Sequence, residues 1–124
     1  MPASSYKNLR AWQVSMEVAE LVYRTTKEFP RHEIYGLAGQ MQRAAVSLPS
    51  NIAEGHARDS TREFLHHISM ALGSLAELET QLLLAKKLEY LSSNMSDCIR
   101  EKVEESGRTL RGLQKSLKAK LQTL

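Results

Sequence analysis

Apolar residues recur at helical spacing along most of the chain, and four segments carry the pattern, at roughly 8–27, 31–57, 60–88 and 95–120. Asn8 is a candidate N-cap for the first. Phe29-Pro30 ends it, because the residue before a proline avoids the α region. Pro49 falls inside the second segment and should kink it. Ser60-Thr61-Arg62-Glu63 reads as a capping box that opens the third. Long helices with short connections predict one all-α domain over residues 1–124, an up-down-up-down antiparallel four-helix bundle.

The faces of these helices differ. On the fourth, Met95, Ile99, Val103, Leu110, Leu113, Leu117, Leu121 and Leu124 fall in a stripe about 80° wide, interrupted only by Ser106. Arg108, Arg111, Lys115 and Lys118 share one ridge on the opposite side. On the third, Phe64, Ile68, Ala71, Leu75, Leu78 and Leu82 form the predicted core face, while Leu83 and Leu84 point away from it. The first helix carries two apolar stripes, one through Leu9, Trp12, Met16, Ala19 and Tyr23, the other through Val14, Val18 and Leu21. A single bundle buries one face of a helix. The surplus therefore predicts self-association, with Val14, Val18, Leu21, Leu83 and Leu84 at the oligomer interface. The alternative is scattered exposed apolar residues of no consequence.

Composition adds little to the fold and more to the function. With 6 Gly, 3 Pro and many good helix formers, the chain does not suit a sheet fold. A single cysteine, Cys98, rules out an intrachain disulfide and is read as a small, partly buried hydrophobe. The N-terminal segment has no apolar signal region, and the longest apolar uncharged run, 64–76, is too short for a membrane span. A cytoplasmic protein without membrane contact is the expectation.

The net charge of +3 is unevenly placed. From Gly107 onward there are five basic residues and no acid, leaving 12 basic against 14 acidic side chains before it. Such asymmetry marks either a polyanion-facing element or a solvated helix face whose cations suit the helix dipole.

Candidate catalytic chemistry is sparse. Glu63-Phe64-Leu65-His66 has the spacing of a di-iron helix-bundle motif, but such sites need two copies and further glutamates, and Glu63 and His66 point away from the core. No metal, no cofactor and no enzyme activity are expected. His56, His66 and His67 are read as surface or interface groups. The segment 43–62 is crowded with small residues around Pro49. There Asn51 is expected to bond carbonyls freed by the kink, and Glu54 to pair with Arg43, Arg58 or Arg62. This reads as a polar lock in a tightly packed helix, or as arginines on an anion-binding surface.

The stretches Glu33–Gly55 (EIYGLAGQMQRAAVSLPSNIAEG) and Gly73–Leu91 (GSLAELETQLLLAKKLEYL), with Tyr6, Leu9, Trp12 and Phe29-Pro30, resemble a known family. It comprises the bacterial four-helix-bundle proteins encoded in intervening sequences of 23S rRNA genes, related to the accessory variability determinant of diversity-generating retroelements. The resemblance covers about the first 91 residues; the fourth helix matches in pattern only. It implies a homopentameric barrel without enzymatic activity. The retroelement relatives bind nucleic acid and a reverse transcriptase, a partner that this resemblance alone suggests. The family motif gives weight to Gln40, Arg43, Asn51, Glu54, Gly55, Gly73 and Glu77. Two positions depart from it: Gln42 replaces a frequent arginine, and Glu89 replaces a frequent glycine.

Two functions follow as expectations. In the first, a homo-oligomer, pentameric by resemblance, binds RNA or DNA weakly and without sequence preference through Arg108, Arg111, Lys115 and Lys118, with Arg43, Arg58 and Arg62 contributing. In the second, the bundle is a protein-interaction scaffold that binds no nucleic acid.

Overall fold

The computed structural model describes residues 5–123. Four helices form, α1 at Arg10–Thr26, α2 at Leu37–Ala57, α3 at Thr61–Lys87 and α4 at Ser93–Gln122, with single 3-10 turns at Tyr6–Asn8 and Arg31–Glu33. Each packs on its neighbours in sequence, α1 also closes on α4, and neither diagonal pair meets. The helices therefore stand at the corners of a square.

The ends of the helices show how local chemistry sets this frame. Asn8 does not cap α1. Ser5 caps the preceding 3-10 turn by accepting from the Lys7 N–H at 3.1 Å, and the extended Leu9 takes the N-cap position with no side-chain bond. The second helix starts later than its pattern suggests. Residues 31–33 form a tight turn, and α2 begins only after Gly36. Glu33 bridges the gap: Oε1 accepts from the Leu37 N–H at 3.0 Å and Oε2 from the Tyr90 hydroxyl at 2.8 Å. These donors, the Leu37 N–H first, hold its carboxyl below the usual carboxylate range. Phe29 packs on Tyr90 with ring centroids 5.2 Å apart. The α1–α2 and α3–α4 connections are thus tied together at one end of the bundle.

At the other end Ser60 Oγ accepts from the Glu63 N–H at 3.2 Å. The reciprocal half of the capping box does not form among the described residues; the Glu63 carboxylate lies 4.0 Å from Arg58 instead. The C-terminus of α3 is a Schellman turn: the Tyr90 N–H bonds the Ala85 carbonyl and the Glu89 N–H bonds the Lys86 carbonyl, both at 3.0 Å. Glu89 has φ 64°, in the left-handed region where glycine is favoured.

The core runs along the axis through Val14, Val18, Val22, Met41, Leu48, Ile52, Ile68, Leu78, Ile99 and Leu110, all fully buried. This corrects the reading of α1. Val14 and Val18 are inside the bundle and face no second subunit. The packed face of α1 is Ala11, Val14, Ser15, Val18, Ala19 and Val22, and it is Met16 and Tyr23 that are exposed. Small residues carry the approach to α4, where Ser15 Oγ lies 3.4 Å from Ser106 Oγ in the interior. Ser106 is therefore part of the α4 seam rather than a break in it. Ile99, Val103, Leu110 and Leu117 are buried as expected, Met95 is exposed, and Leu124 lies outside the described residues.

α1 and α4 are also joined at the surface. Glu105 Oε2 lies 2.6 Å from Arg10 Nη2, and Lys102 Nζ reaches Glu17 Oε2 at 3.1 Å and Glu105 Oε1 at 3.3 Å. The Glu105 carboxyl is held low by Arg10 and then Lys102, and the Lys102 ammonium is held high by Glu17 and then Glu105.

Candidate functional site

The α4 ridge is the most distinctive charged surface. Arg108, Arg111, Lys115 and Lys118 are all exposed, and among the described residues none lies within 4.0 Å of a carboxylate. Other cations, such as Arg31 and Lys86, also lack an acidic partner, but they are scattered, whereas these four share one helix face; Arg10, Arg24, Arg100 and Lys102 are paired. The helix pattern explains the difference. The acids of α4, from Asp97 to Glu105, lie N-terminal to the ridge, where Asp97 and Glu104 pair with Arg100 and Glu105 pairs with Arg10 and Lys102. Gly107 lets Arg111 fold against the bundle: a Cβ on Gly107 would stand 2.8 Å from Arg111 Nη2 and 3.2 Å from Leu75 Cδ2.

The arginines of the second segment do not join that ridge. Arg43 lines a polar cleft of about 340 Å³ between α2 and α3, with Gln40, Ala44, Ser47, Ser74 and Glu77. Three residues of the family motif, Gln40, Arg43 and Glu77, thus meet on one surface. Arg58 faces Glu63, and Arg62 is exposed at the start of α3.

The polar lock exists, with different partners. Asn51 Nδ2 donates to the Ser47 carbonyl at 2.9 Å, two residues past Ala45, whose carbonyl Pro49 leaves without its helical N–H. That orients Asn51 Oδ1 toward His67 Nδ1, 3.1 Å away, so the network assigns the ring hydrogen to Nδ1. Glu54 Oε2 lies 3.9 Å from the same nitrogen. His67 is thus the group nearest the Glu54 carboxylate, and none of Arg43, Arg58 and Arg62 comes within 4.0 Å of it among the described residues. Close helix approach explains Gly55, where a Cβ would stand 2.8 Å from His67 Cβ and from Phe64 Cδ1. Gly73 has no such reason within this chain, since a Cβ there meets nothing within 4 Å.

Glu63 and His66 are both exposed, and no three His, Cys, Asp or Glu side chains converge among the described residues. Cys98 is exposed, not partly buried. Leu21 is half-buried, while Leu83 and Leu84 are exposed as the surplus-face argument requires. Sequence reasoning missed Glu33 and Tyr90, whose bond spans 57 positions, and the outward-facing Ile34 and Tyr35.

The fold and its bare ridge define a small all-α bundle protein with no helix long and apolar enough to cross a membrane among its described residues. The model of the family described as 23S rRNA-intervening sequence protein matches residues 7–112, and the chain belongs to that family. Arg108 and Arg111 fall inside the match; Lys115 and Lys118 fall beyond it. The chain is similar to a crystal structure described as a protein with unknown function from the S23 ribosomal protein family of Bacteroides thetaiotaomicron VPI-5482. The two superpose with a TM-score of 0.77 at 23% identity, over 85% of this chain and 95% of that one. No curated protein matches.

Proposed function

We propose that this protein is a non-enzymatic cytoplasmic homo-oligomer, a pentamer by family resemblance, that binds RNA or DNA weakly and without sequence preference through α4. The observation that carries the reading is the run of four exposed cations with no acidic partner. From Arg108 to Lys118 the helix rises about 15 Å, and one strand presents a phosphate about every 3.4 Å, so four phosphates match four cations. No aromatic side chain lies among the four, so the ridge offers unpaired bases no stacking surface, and phosphate neutralisation by the four cations is the contact it is suited to.

A gel shift across a salt series tests this. Four phosphates neutralised per chain give a slope of log affinity against log salt of about −3 to −4. The Arg111→Glu/Lys115→Glu variant should lose binding. Affinity that does not change with salt, or a variant that binds as well as the parent, overturns the reading.

The second reading, a protein-interaction scaffold, is favoured by one feature, the exposed apolar residues around Tyr35 and Leu83. It predicts the same assembly with no gel shift at any salt concentration. The reverse-transcriptase partner rests on family resemblance alone.

A further inference from the structure

We infer that the cleft between α2 and α3 binds a small zwitterion, an α-amino acid whose carboxylate meets Arg43 and whose ammonium meets Glu77. Helical spacing assembles the site. Gln40, Arg43 and Ser47 follow one another along one face of α2, and Ser74 and Glu77 face them from α3. The cleft encloses about 340 Å³, at the lower end of the roughly 300–1,000 Å³ of small-molecule pockets. Ala44 is the buried residue of its lining and is too small to fill it.

The polar groups of the cleft are unused within the chain. Among the described residues, the side-chain hydrogen bonds along α2 and α3 belong to Gln42, Ser47, Asn51, His67 and Thr80. The side chains of Gln40, Arg43, Ser74 and Glu77 make none. Neither Arg43 nor Glu77 lies within 4.0 Å of an opposite charge among the described residues. Two opposite charges therefore line one cleft without pairing. Gly39 accounts for the position of the arginine. Arg43 Nη1 lies 3.3 Å from where a Cβ on Gly39 would stand, so the guanidinium rests against its own helix. On α3 there is no cation from Ile68 to Ala85, so nothing on its own helix neutralises Glu77.

Charge then selects the ligand. A simple anion drawn to Arg43 is repelled by Glu77, and a simple cation drawn to Glu77 is repelled by Arg43. A molecule carrying a carboxylate and an ammonium supplies both partners at once, and a charge-assisted hydrogen bond at each end fixes its orientation. The Gln40 amide and the Ser74 hydroxyl remain for an uncharged polar side chain. The cleft lies on different helices from the α4 ridge, so this site does not rest on nucleic-acid binding.

A chemical-shift titration of the whole chain with L-glutamine tests this. Two blocked analogues accompany it: N-acetyl-L-glutamine, which lacks the ammonium, and L-glutamine amide, which lacks the carboxylate. L-Glutamine at millimolar concentration should shift the backbone amide signals of 40–47 and 73–77 saturably. Each analogue should bind about tenfold more weakly or worse, the scale of one hydrogen bond to a charged group. Two variants assign the ends. Glu77→Gln should no longer distinguish L-glutamine from its N-acetyl form, and Arg43→Gln should no longer distinguish it from its amide. Both residues are exposed, and unchanged signals away from the cleft confirm that each variant is folded. No saturable shift in the parent overturns the inference. Variants that keep the parent's preference over both analogues overturn it too, and so do shifts confined to α4, which would put the amino acid on the cationic ridge.

Discussion

Replacing Glu89 with glycine should stabilise the protein, and its geometry gives the size of the effect. Glu89 is the C′ residue of the Schellman turn closing α3, with φ 64°. A side chain in that conformation brings Cβ close to the following carbonyl and costs about 1–2 kcal/mol. Glycine removes that strain but adds freedom to the unfolded chain, worth about 0.5–1 kcal/mol. The carboxylate also sits at a helix C-terminus, where negative charge is unfavourable by about 0.3–1 kcal/mol when exposed. The net expectation for Glu89→Gly is stabilisation of about 1 kcal/mol. Glu89→Ala separates the contributions, because it removes the charge and keeps the Cβ; it should recover only the dipole part. Urea unfolding at fixed protein concentration is the assay, read as a shift in midpoint with an unchanged slope. The side chain makes no ion pair among the described residues that its loss would break. A Glu89→Gly variant no more stable than Glu89→Ala would refute the backbone argument and leave only the charge.

Three further perturbations follow from the same structure. Gln81 is buried and its Oε1 has no hydrogen-bond partner among the described residues, so Gln81→Met should raise stability by about 1 kcal/mol in urea unfolding. Gly55→Ala should lower it by about 1–3 kcal/mol, because the added methyl meets His67 and Phe64 at 2.8 Å on two sides. Acid should destabilise the fold through Glu33 and Glu105, whose carboxyls are held low by the Leu37 N–H and Tyr90 and by Arg10 and Lys102 respectively. Their contribution is complete above the ordinary carboxylate range and is lost as the pH falls through their lowered folded values. Midpoints measured down a pH series should show a shallower acid limb in Glu33→Gln than in the parent.

The four helices were legible because each one repeats its pattern over many turns. The third was read to within one residue at each end, since Ser60 is a cap whose bond is local and Leu88 begins a turn. Where a position depends on a distant residue, the pattern is silent. Glu33 lies in a stretch that looks helical, and only Tyr90 and the backbone of Leu37 explain why the chain makes a separate turn there. The error on α1 has a different cause. Hydrophobic ranking gives weight to Trp12, Met16 and Tyr23, but the face that reaches α4 needs small side chains, so Ala11, Ser15 and Ala19 pack while Met16 and Tyr23 stay outside. The same logic applies to Glu54: a scan for the nearest arginine overlooks His67, which α3 brings across to α2. The ridge on α4 was visible because it involves one helix only; what the structure adds is that none of its four cations has an acidic partner among the described residues.

The length dependence of nucleic-acid binding joins the two parts of the proposed function. A homo-oligomer repeats the α4 ridge in every copy, so a strand long enough to cross subunits can engage several ridges at once, and linked contacts of this kind raise apparent affinity by about 10²–10⁴ without any new contact. The parent should therefore bind an oligonucleotide long enough to cross subunits more tightly, by a factor in that range, than one just long enough to cover a single ridge, and Arg111→Glu/Lys115→Glu should lose both. Equal affinity for the two lengths would mean that each copy binds alone, and the coupling of assembly to binding would be wrong.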